Sequence, residues 1–219
     1  ESILDAVDET TSLVFIANPN NPTGTLCSHD EIESFLEKLP QNVVLVLDEA
    51  YIEFANESIR PRASQLVHKY PNLIVLRTFS KLYGLAAYRL GYAIANAELI
   101  QLLNKVKPPF NVNSMAYEAG VKALEKSEFI KNSLRVNEAG KQRLYQLFNE
   151  LEINYEASEA NFIYVELSRS ARDFCNECLK HGLILRPLTS FGRPHAIRVT
   201  VGTDSDFDFF ETVFKTVWK

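Results

Sequence analysis

Cysteine is scarce in this sequence of 219 residues, which contains only Cys27, Cys175 and Cys178. A low, odd number of cysteines favours a reducing compartment, so we expect a cytoplasmic protein. Cys175 and Cys178 form a single CxxC within "ARDFCNECLKHG", a stretch with helical spacing and a glycine stop. No second pair of Cys or His accompanies them, whereas a structural zinc site needs four ligands. We therefore expect two core residues one helical turn apart, and no metal.

Long hydrophobic runs, an excess of positive charge and phosphate-binding glycine loops are also lacking. The longest apolar runs, such as "VVLVL" at 43–47, are too short to span a bilayer, so no membrane partner is expected. The formal net charge of -5 disfavours nucleic acid as a partner. Neither GxGxxG nor a Walker-type loop occurs, which leaves a dinucleotide or nucleoside-triphosphate site with little support. The chain begins with Glu1 rather than Met, which indicates a fragment or a processed product.

The first half of the sequence alternates apolar runs with amphipathic stretches. Strands are predicted over 12–18, 42–51, 72–80 and 90–96. After the first strand and its turn, Ser28 and Glu31 have the spacing of a capping box, followed by the apolar stripe of a helix that reaches Leu39. Residues 62–70 predict a short helix. This alternation predicts an α/β fold with a parallel or mixed sheet covered on both faces, whose ligands bind beyond the carboxyl ends of the strands.

The second half changes character at about residue 97. Residues 97–150 have a helical pattern, including one long helix after Pro109 that we expect to carry the chain between two domains. After residue 151 the pattern alternates again and predicts a small α/β layer. We therefore predict one domain over 1–125 and a small C-terminal domain over 126–219, joined by long helices.

Polar side chains follow the predicted strands of the first domain. Asp48 follows five consecutive apolar residues, so we expect it to be partly buried and to need a positive partner. Lys81 lies past the third strand, and Arg89 follows eight residues later. Taken singly, each polar residue has an ordinary explanation as a turn, a helix cap or a solvated side chain. Together they indicate one crevice, lined by Asn21, Asp48, Tyr51, Thr78, Ser80, Lys81 and Arg89.

This combination of groups suits a phosphorylated pyridine aldehyde, pyridoxal 5'-phosphate. That cofactor needs an amine for its aldehyde, which Lys81 offers, and a carboxylate for its ring nitrogen, which Asp48 offers. Arg89 with the hydroxyls of Thr78 and Ser80 would hold the phosphate through charge-assisted hydrogen bonds.

Four segments in this order, "NPNNPTGT", "DEAYIEF", "TFSKLYGLAAYRLGY" and "IRVTVGT", resemble the fold-type I pyridoxal-phosphate aminotransferases. The second and fourth resemble particularly the histidinol-phosphate branch of that family, and the resemblance covers essentially the whole chain. It implies a partial large domain with a mixed, mostly parallel sheet over 1–125, followed by a small C-terminal α/β domain.

The resemblance also implies a role for each matching residue. Lys81 matches the lysine that binds the cofactor covalently and moves the substrate proton, and Asp48 matches the partner of the ring nitrogen. Asn21 and Tyr51 match the pair that hydrogen-bonds the ring hydroxyl. The phosphate-cradle positions are matched by Thr78, Ser80 and Arg89.

Two substrate contacts are implied as well. Arg198, in "IRVT", matches the arginine that binds a substrate α-carboxylate, for which a planar two-pronged donor is suited. Arg186, in "LILRPL", matches an arginine that recognises the substrate phosphate, and Arg193 in the nearby "FGRPH" loop competes for that role.

The activity implied is transamination between histidinol phosphate and 2-oxoglutarate or glutamate, a step of histidine biosynthesis, in a homodimeric protein. Three alternatives stay open: an aromatic-amino-acid aminotransferase, a threonine-phosphate decarboxylase, and a catalytically incomplete fragment. The last arises because family members have roughly a third more chain before the matching segments. The sequence also departs from the family at Ala87-Tyr88, where many members have Gly-Leu.

Overall fold

The computed structural model describes residues 3–219, which divide into two compact units. The first unit comprises the chain up to Pro19 together with Leu26–Ser127. The second comprises Asn20–Thr25 and Glu128–Lys219. The short segment at 20–25 therefore belongs by its contacts to the second unit, although it lies between two elements of the first.

The first unit contains a four-stranded sheet with the order β1-β2-β3-β4. Its strands are β1 (Leu13–Ala17), β2 (Val44–Asp48), β3 (Leu73–Thr78) and β4 (Gly91–Ala95). β1, β2 and β3 are parallel, and β4 runs antiparallel to β3. The prediction of an α/β fold with a mixed, mostly parallel sheet is confirmed. Each predicted strand is present but shorter, and β2 has half of its predicted length.

The helices of the first unit are α1 (His29–Lys38), α2 (Ala63–Leu66), α3 (Ala97–Val106) and α4 (Ser114–Leu124). The predicted capping box of α1 is confirmed: the Ser28 hydroxyl accepts from the Glu31 amide, and the Glu31 carboxylate accepts from the Ser28 amide. Apolar residues of α1 and α2 pack on one face of β2 and β3, and this core includes Ile32, Leu36, Leu45, Leu47 and Val75. The predicted helix over 62–70 is much shorter than expected.

The second unit contains α5 (Ser127–Glu150), α6 (Ala171–Lys180) and α7 (Asp204–Trp218). Its sheet has the order β5-β6-β8-β7, with β5 (Asn154–Tyr155), β6 (Phe162–Glu166), β7 (Arg186–Pro187) and β8 (Ala196–Thr200). All neighbouring strands of this sheet are antiparallel. The core on its helical side is aromatic-rich, with Phe148, Phe174 and Phe214 almost completely buried.

The prediction of one long helix after Pro109 is wrong in one respect, because the helical stretch is interrupted at Glu125 and Lys126. α4 ends there, and α5 starts at Ser127 with Glu128 in its first turn. Ser and Glu at these positions are typical of a helix start, and this local signal is independent of the apolar periodicity on which the prediction relied.

Cys175 and Cys178 lie on α6 and are buried in the core of the second unit. Burial raises the pKa of both thiols to about 11, which favours the protonated form over the thiolate that binds metals. These observations support the interpretation of the CxxC as two packing residues. No helix among residues 3–219 is long and apolar enough to cross a bilayer.

Candidate active site

The carboxyl ends of β2 and β3 place two of the expected polar residues at one edge of the first sheet. Asp48 pairs with Ala17 of β1 on one side and with Leu76 of β3 on the other. Thr78 lies two residues beyond Leu76, and side chains two apart along a strand share a face. Asp48 and Thr78 are therefore presented on the same face of the sheet, at the edge where parallel α/β sheets bind ligands.

Asp48 is exposed, so the expectation that it would be half-buried is wrong. The buried carboxylate is the next residue, Glu49, whose side chain has no exposed surface. Its Oε2 accepts a hydrogen bond from Arg77 Nε at 2.8 Å and lies 2.8 Å from Arg77 Nη2 in an ion pair. Burial raises the pKa of Glu49, and the Arg77 charge offsets this only in part. Sequence reasoning missed this ion pair, although the alternation along β2 assigns Glu49 to the core face.

Lys81 lies in a hydrogen-bonded turn directly after β3. The Gly84 amide donates to the Lys81 carbonyl at 3.0 Å, and Gly84 takes a φ of 69°, in the left-handed region that favours glycine. The Lys81 side chain is exposed, and its Nζ lies 5.2 Å from the ring centroid of the buried Tyr51. Within residues 3–219 no carboxylate forms an ion pair with Lys81. The turn therefore presents an amine over an aromatic face and leaves it available for a carbonyl group.

Hydroxyl and guanidinium groups lie around the same turn. The Thr78 hydroxyl donates to the Leu90 carbonyl at 3.3 Å and accepts from the Ser80 amide at 3.1 Å. Arg89 adopts a left-handed conformation with a φ of 55°, and its Nη1 donates to the Ala86 carbonyl at 2.9 Å. Arg89 is exposed, and no carboxylate of the described residues pairs with it. Thr78 pairs with Gly91 across β3 and β4. The connection between these two strands, which carries Arg89, therefore starts and ends at this edge of the sheet.

Asn21 lies in the turn that belongs to the second unit, where it contacts Arg198 of β8. Arg198 Nη1 donates to Asn21 Oδ1 at 2.6 Å, and the guanidinium carbon lies 4.9 Å from the ring centroid of Phe162. Arg198 Nε is buried and has no hydrogen-bond partner among the described residues. An unsatisfied buried donor on a cation indicates a ligand that accepts hydrogen bonds, such as a carboxylate.

Arg186 and Arg193 differ in whether their side chains already form hydrogen bonds within the protein. Arg186 pairs with Arg198 across β7 and β8, and directly opposed residues present their side chains on one face of a sheet. Its side chain is exposed and makes no hydrogen bond within the described residues. Arg193 Nε donates to the Tyr164 hydroxyl at 3.0 Å, and that hydroxyl also contacts Glu166. Arg186 is therefore the freer of the two candidates for an external anion.

The structure thus brings the predicted residues together in two groups, one in each unit. The first unit presents an amine, a carboxylate, an aromatic face, two hydroxyls and a guanidinium at one end of its sheet, and the residues are Asp48, Tyr51, Thr78, Ser80, Lys81 and Arg89. The second unit joins Asn21 to Arg198 on the sheet face that also bears Arg186. The pairing of Asn21 with Tyr51 stays a prediction. Within residues 3–219, no three His, Cys, Asp or Glu side chains are grouped to hold a metal ion.

Comparison with known proteins identifies the family. The model of aminotransferase class I and II matches residues 1–210, so the chain belongs to this family. A histidinol-phosphate aminotransferase from Nitrosococcus oceani is 45% identical over 217 residues, or 99% of this chain and 59% of the relative. A second, from Pseudomonas fluorescens, is 45% identical over 94% of this chain and 55% of its own length. The chain therefore spans a little more than half the length of these curated relatives.

Solved structures show the same fold. A histidinol-phosphate aminotransferase from Sinorhizobium meliloti, in complex with pyridoxal-5'-phosphate, matches with a TM-score of 0.85 at 28% identity, over 95% of this chain and 58% of that chain. A putative histidinol-phosphate aminotransferase from Erwinia carotovora atroseptica matches with a TM-score of 0.89 at 28% identity, over 98% of this chain and 62% of that chain. The fold is therefore that of the fold-type I aminotransferases.

Proposed function

We propose that this chain carries the pyridoxal-phosphate site of an aminotransferase that exchanges an amino group between histidinol phosphate and 2-oxoglutarate or glutamate, in histidine biosynthesis. The observation that carries the proposal is the exposed Lys81 amine at the carboxyl end of the first sheet, on the same edge as the Asp48 carboxylate. The similarity to curated histidinol-phosphate aminotransferases supports this choice of substrate.

The side chains of the first unit fit the chemical groups of the cofactor. When bound, pyridoxal phosphate supplies an aldehyde that takes up an amino group and an electron-poor ring that stabilises negative charge on the substrate carbon. Lys81 would bind the aldehyde and then move the proton at the substrate carbon. Asp48 would accept a hydrogen bond from the ring nitrogen and keep it protonated. The phosphate would be held by Thr78, Ser80 and Arg89.

The side chains of the second unit fit the substrate. Arg198 has a buried Nε with no hydrogen-bond partner among residues 3–219 and an Nη1 oriented by Asn21, so its planar fork would bind the α-carboxylate of glutamate. Arg186, exposed and on the same sheet face, would bind the phosphate of histidinol phosphate. The two arginines would thus give separate binding groups to a carboxylate and to a phosphate, both of which suit the guanidinium fork.

Covalent trapping tests the proposal. The protein is incubated with pyridoxal phosphate, reduced with borohydride and digested, and the modified peptide is identified by mass spectrometry. We expect the label on Lys81 in the unsubstituted chain and its loss in Lys81→Ala. Lys122→Ala, which removes an exposed lysine paired with Glu125, is the control and should keep the label on Lys81. A label spread over surface lysines and unchanged by Lys81→Ala would contradict the proposal.

Turnover assays separate the alternatives. Formation of glutamate from 2-oxoglutarate with histidinol phosphate as amino donor is the expected reaction. Faster turnover of phenylalanine would indicate an aromatic-amino-acid aminotransferase, and release of carbon dioxide from O-phosphothreonine would indicate a decarboxylase. A labelled Lys81 with no turnover of any of these would indicate a catalytically incomplete chain.

The exposed apolar surface of α3, α4 and their connection supports a homodimer. Val106 is 78% exposed, Phe110 is 99% exposed and Met115 is 68% exposed. An apolar surface of this kind on a soluble protein marks an interaction site. Light scattering after size exclusion should give twice the 24.9 kDa mass of one chain, and a monomeric mass would contradict the dimer.

A further inference from the structure

α5 carries a stripe of polar residues on a face that also contributes to the core of the second unit. Asn137, Lys141 and Tyr145 recur at intervals of four residues, and such residues share one face of a helix. Asn137 is 6% exposed and Lys141 is 5% exposed. Lysine is almost never buried unless its charge is compensated, because removing an ammonium from water is costly. The stripe therefore needs an explanation other than packing.

All three side chains bind the backbone of the loop between β5 and β6. Asn137 Nδ2 donates to the Ala160 carbonyl at 3.3 Å, and Lys141 Nζ donates to the Ser158 carbonyl at 2.9 Å. The Tyr145 hydroxyl accepts from the Ser158 amide at 2.9 Å. The Ser158 hydroxyl accepts from the Ala160 amide at 3.1 Å and tightens the loop from within. Both polar groups of the Ser158 backbone are thus fixed to α5.

This loop in turn holds the turn at residues 20–25. The Glu159 amide donates to the Gly24 carbonyl at 2.9 Å, and the Gly24 amide donates to the Asn20 carbonyl at 2.7 Å. Gly24 has a φ of 77°, and an added Cβ would lie 2.7 Å from Ser158 Cβ and would collide with its hydroxyl. The backbone of the turn can therefore approach the loop this closely only because residue 24 has no side chain.

The turn presents Asn21, whose Oδ1 accepts the 2.6 Å hydrogen bond from Arg198 Nη1. A continuous series of contacts thus leads from the Lys141 ammonium to the guanidinium of Arg198. The ammonium is also paired with Glu138 at 2.9 Å, whose side chain is 57% exposed. Lys141 itself makes no contact with Arg198 in any of the hydrogen bonds or ion pairs of the described residues.

We propose that Lys141 is a positioning residue for the substrate-carboxylate site. By fixing the Ser158 carbonyl, it holds in place the turn at 20–25, from which Asn21 binds Arg198. The inference rests on the proposed function, because Arg198 is assigned there to the carboxylate. Asn21 occupies one donor of the guanidinium and fixes its plane, so the remaining donors keep a constant orientation. Loss of the Lys141 contact should release the turn and let the guanidinium rotate.

The test compares Lys141→Met with Lys131→Met in the full chain loaded with pyridoxal phosphate. Lys131 pairs with Glu128 on the same helix at the same i,i+3 spacing, and it is exposed, so it is a matched control. The probe is glutarate, a dicarboxylate without an amino or keto group, and its dissociation constant is measured by calorimetry. We expect binding to weaken by about tenfold in Lys141→Met, since a hydrogen bond to a charged group is lost. Lys131→Met should bind as the unsubstituted chain does, and Lys141→Arg should recover most of the affinity.

Two further readouts keep the outcomes distinct. Amide hydrogen exchange should accelerate at 20–25 and 157–161 in Lys141→Met, while α7 keeps its protection. Borohydride trapping on Lys81 should be unchanged. Unchanged glutarate affinity with α7 still protected would overturn the inference. If Lys141→Met loses the protection of α7, the test uses Gly24→Ala instead, because this substitution moves the turn and leaves α5 intact. Normal glutarate affinity of Gly24→Ala would then overturn the inference.

Failure of the proposed function has a different signature. In that case the unsubstituted chain would not be trapped on Lys81. Hydrogen exchange does not depend on the cofactor, so unchanged exchange at 20–25 in Lys141→Met would still count against the positioning role.

Discussion

At the scale of residues, the pair Asp48 and Glu49 shows how alternation decides which side chain meets the ligand. Val43, Leu45 and Leu47 are buried on the core face of β2, and Glu49 continues that face with no exposed surface. Asp48 falls on the opposite face and is exposed, as a carboxylate that binds a ligand must be. The sequence indicated a carboxylate at the end of this strand. Because side chains alternate between the two faces of a strand, Asp48 is available to a ligand and Glu49 is buried in an ion pair.

Arg77 should be essential for stability because no other charged side chain among residues 3–219 forms an ion pair with Glu49. Arg77→Leu would leave a buried carboxylate unpaired, and we expect the free energy of unfolding at neutral pH to fall by about 3 to 5 kcal/mol. The measurement is urea denaturation followed by circular dichroism. Arg62→Leu removes an exposed guanidinium of the same unit and should change stability by less than about 0.5 kcal/mol. Equal effects of the two substitutions would contradict this assignment.

The deficit of Arg77→Leu should also depend on pH. The pKa of Glu49 is already raised by burial, and removal of Arg77 removes the charge that lowers it most. A carboxyl with a raised folded-state pKa binds more protons when folded, so its ionisation destabilises the fold as pH rises above the ordinary value. The loss of stability should therefore be smaller at about pH 5 than at about pH 8. A deficit that is equal at both pH values would show that Glu49 does not carry the effect.

At the scale of elements, caps and alternation were predictable, and helix length was not. The capping box of α1 is a local signal of four residues, and it forms as predicted. The interruption between α4 and α5 was missed because the apolar periodicity continues through it, whereas Ser127 and Glu128 restart the helix locally. The turn at 20–25 was recognised as a turn, but its contact with the loop at Ser158 joins positions far apart in the sequence.

Removal of the α1 cap should have a measurable cost. Ser28→Ala leaves the amide of Glu31 without its acceptor, and we expect a loss of about 1 kcal/mol in the free energy of unfolding. Ser34→Ala lies inside the same helix, where alanine has the higher helix propensity, and should be neutral or slightly stabilising. Chemical denaturation of both variants checks the difference, and a Ser34→Ala loss as large as that of Ser28→Ala would rule out the cap as the cause.

At the scale of the whole molecule, residues 3–219 include a large hydrophobic core in each compact unit. The functional groups follow the same division. The groups proposed for the cofactor lie in the first unit, and the arginines proposed for the substrate anions lie in the second. Contacts between neighbours along the chain do not explain this arrangement, because Asn21 contributes to the second unit from a position between β1 and α1 of the first.

The single tryptophan allows the second core to be observed by itself. Trp218 stacks on Phe214, which is fully buried and also contacts Phe148 and Phe174. Phe214→Ala should lower the free energy of unfolding measured by Trp218 fluorescence by about 3 to 5 kcal/mol. Phe209→Ala, on the same helix but 48% exposed, should cost less than about 1 kcal/mol. Similar losses in both variants would contradict the assignment of Phe214 to the core.

The sequence by itself determined the strands, the mixed sheet, the capping box and the positions of Lys81, Asp48 and Arg89 near strand ends. These depend on periodicity and on motifs of a few adjacent residues, which can be read without distant contacts. Only the tertiary structure decided that Glu49 pairs with Arg77, that Asn21 binds Arg198, and that Lys141 is buried against the Ser158 carbonyl. Each of these contacts joins residues at least 17 positions apart in the sequence. Packing and burial in the folded chain, rather than local sequence, therefore determine which residues meet.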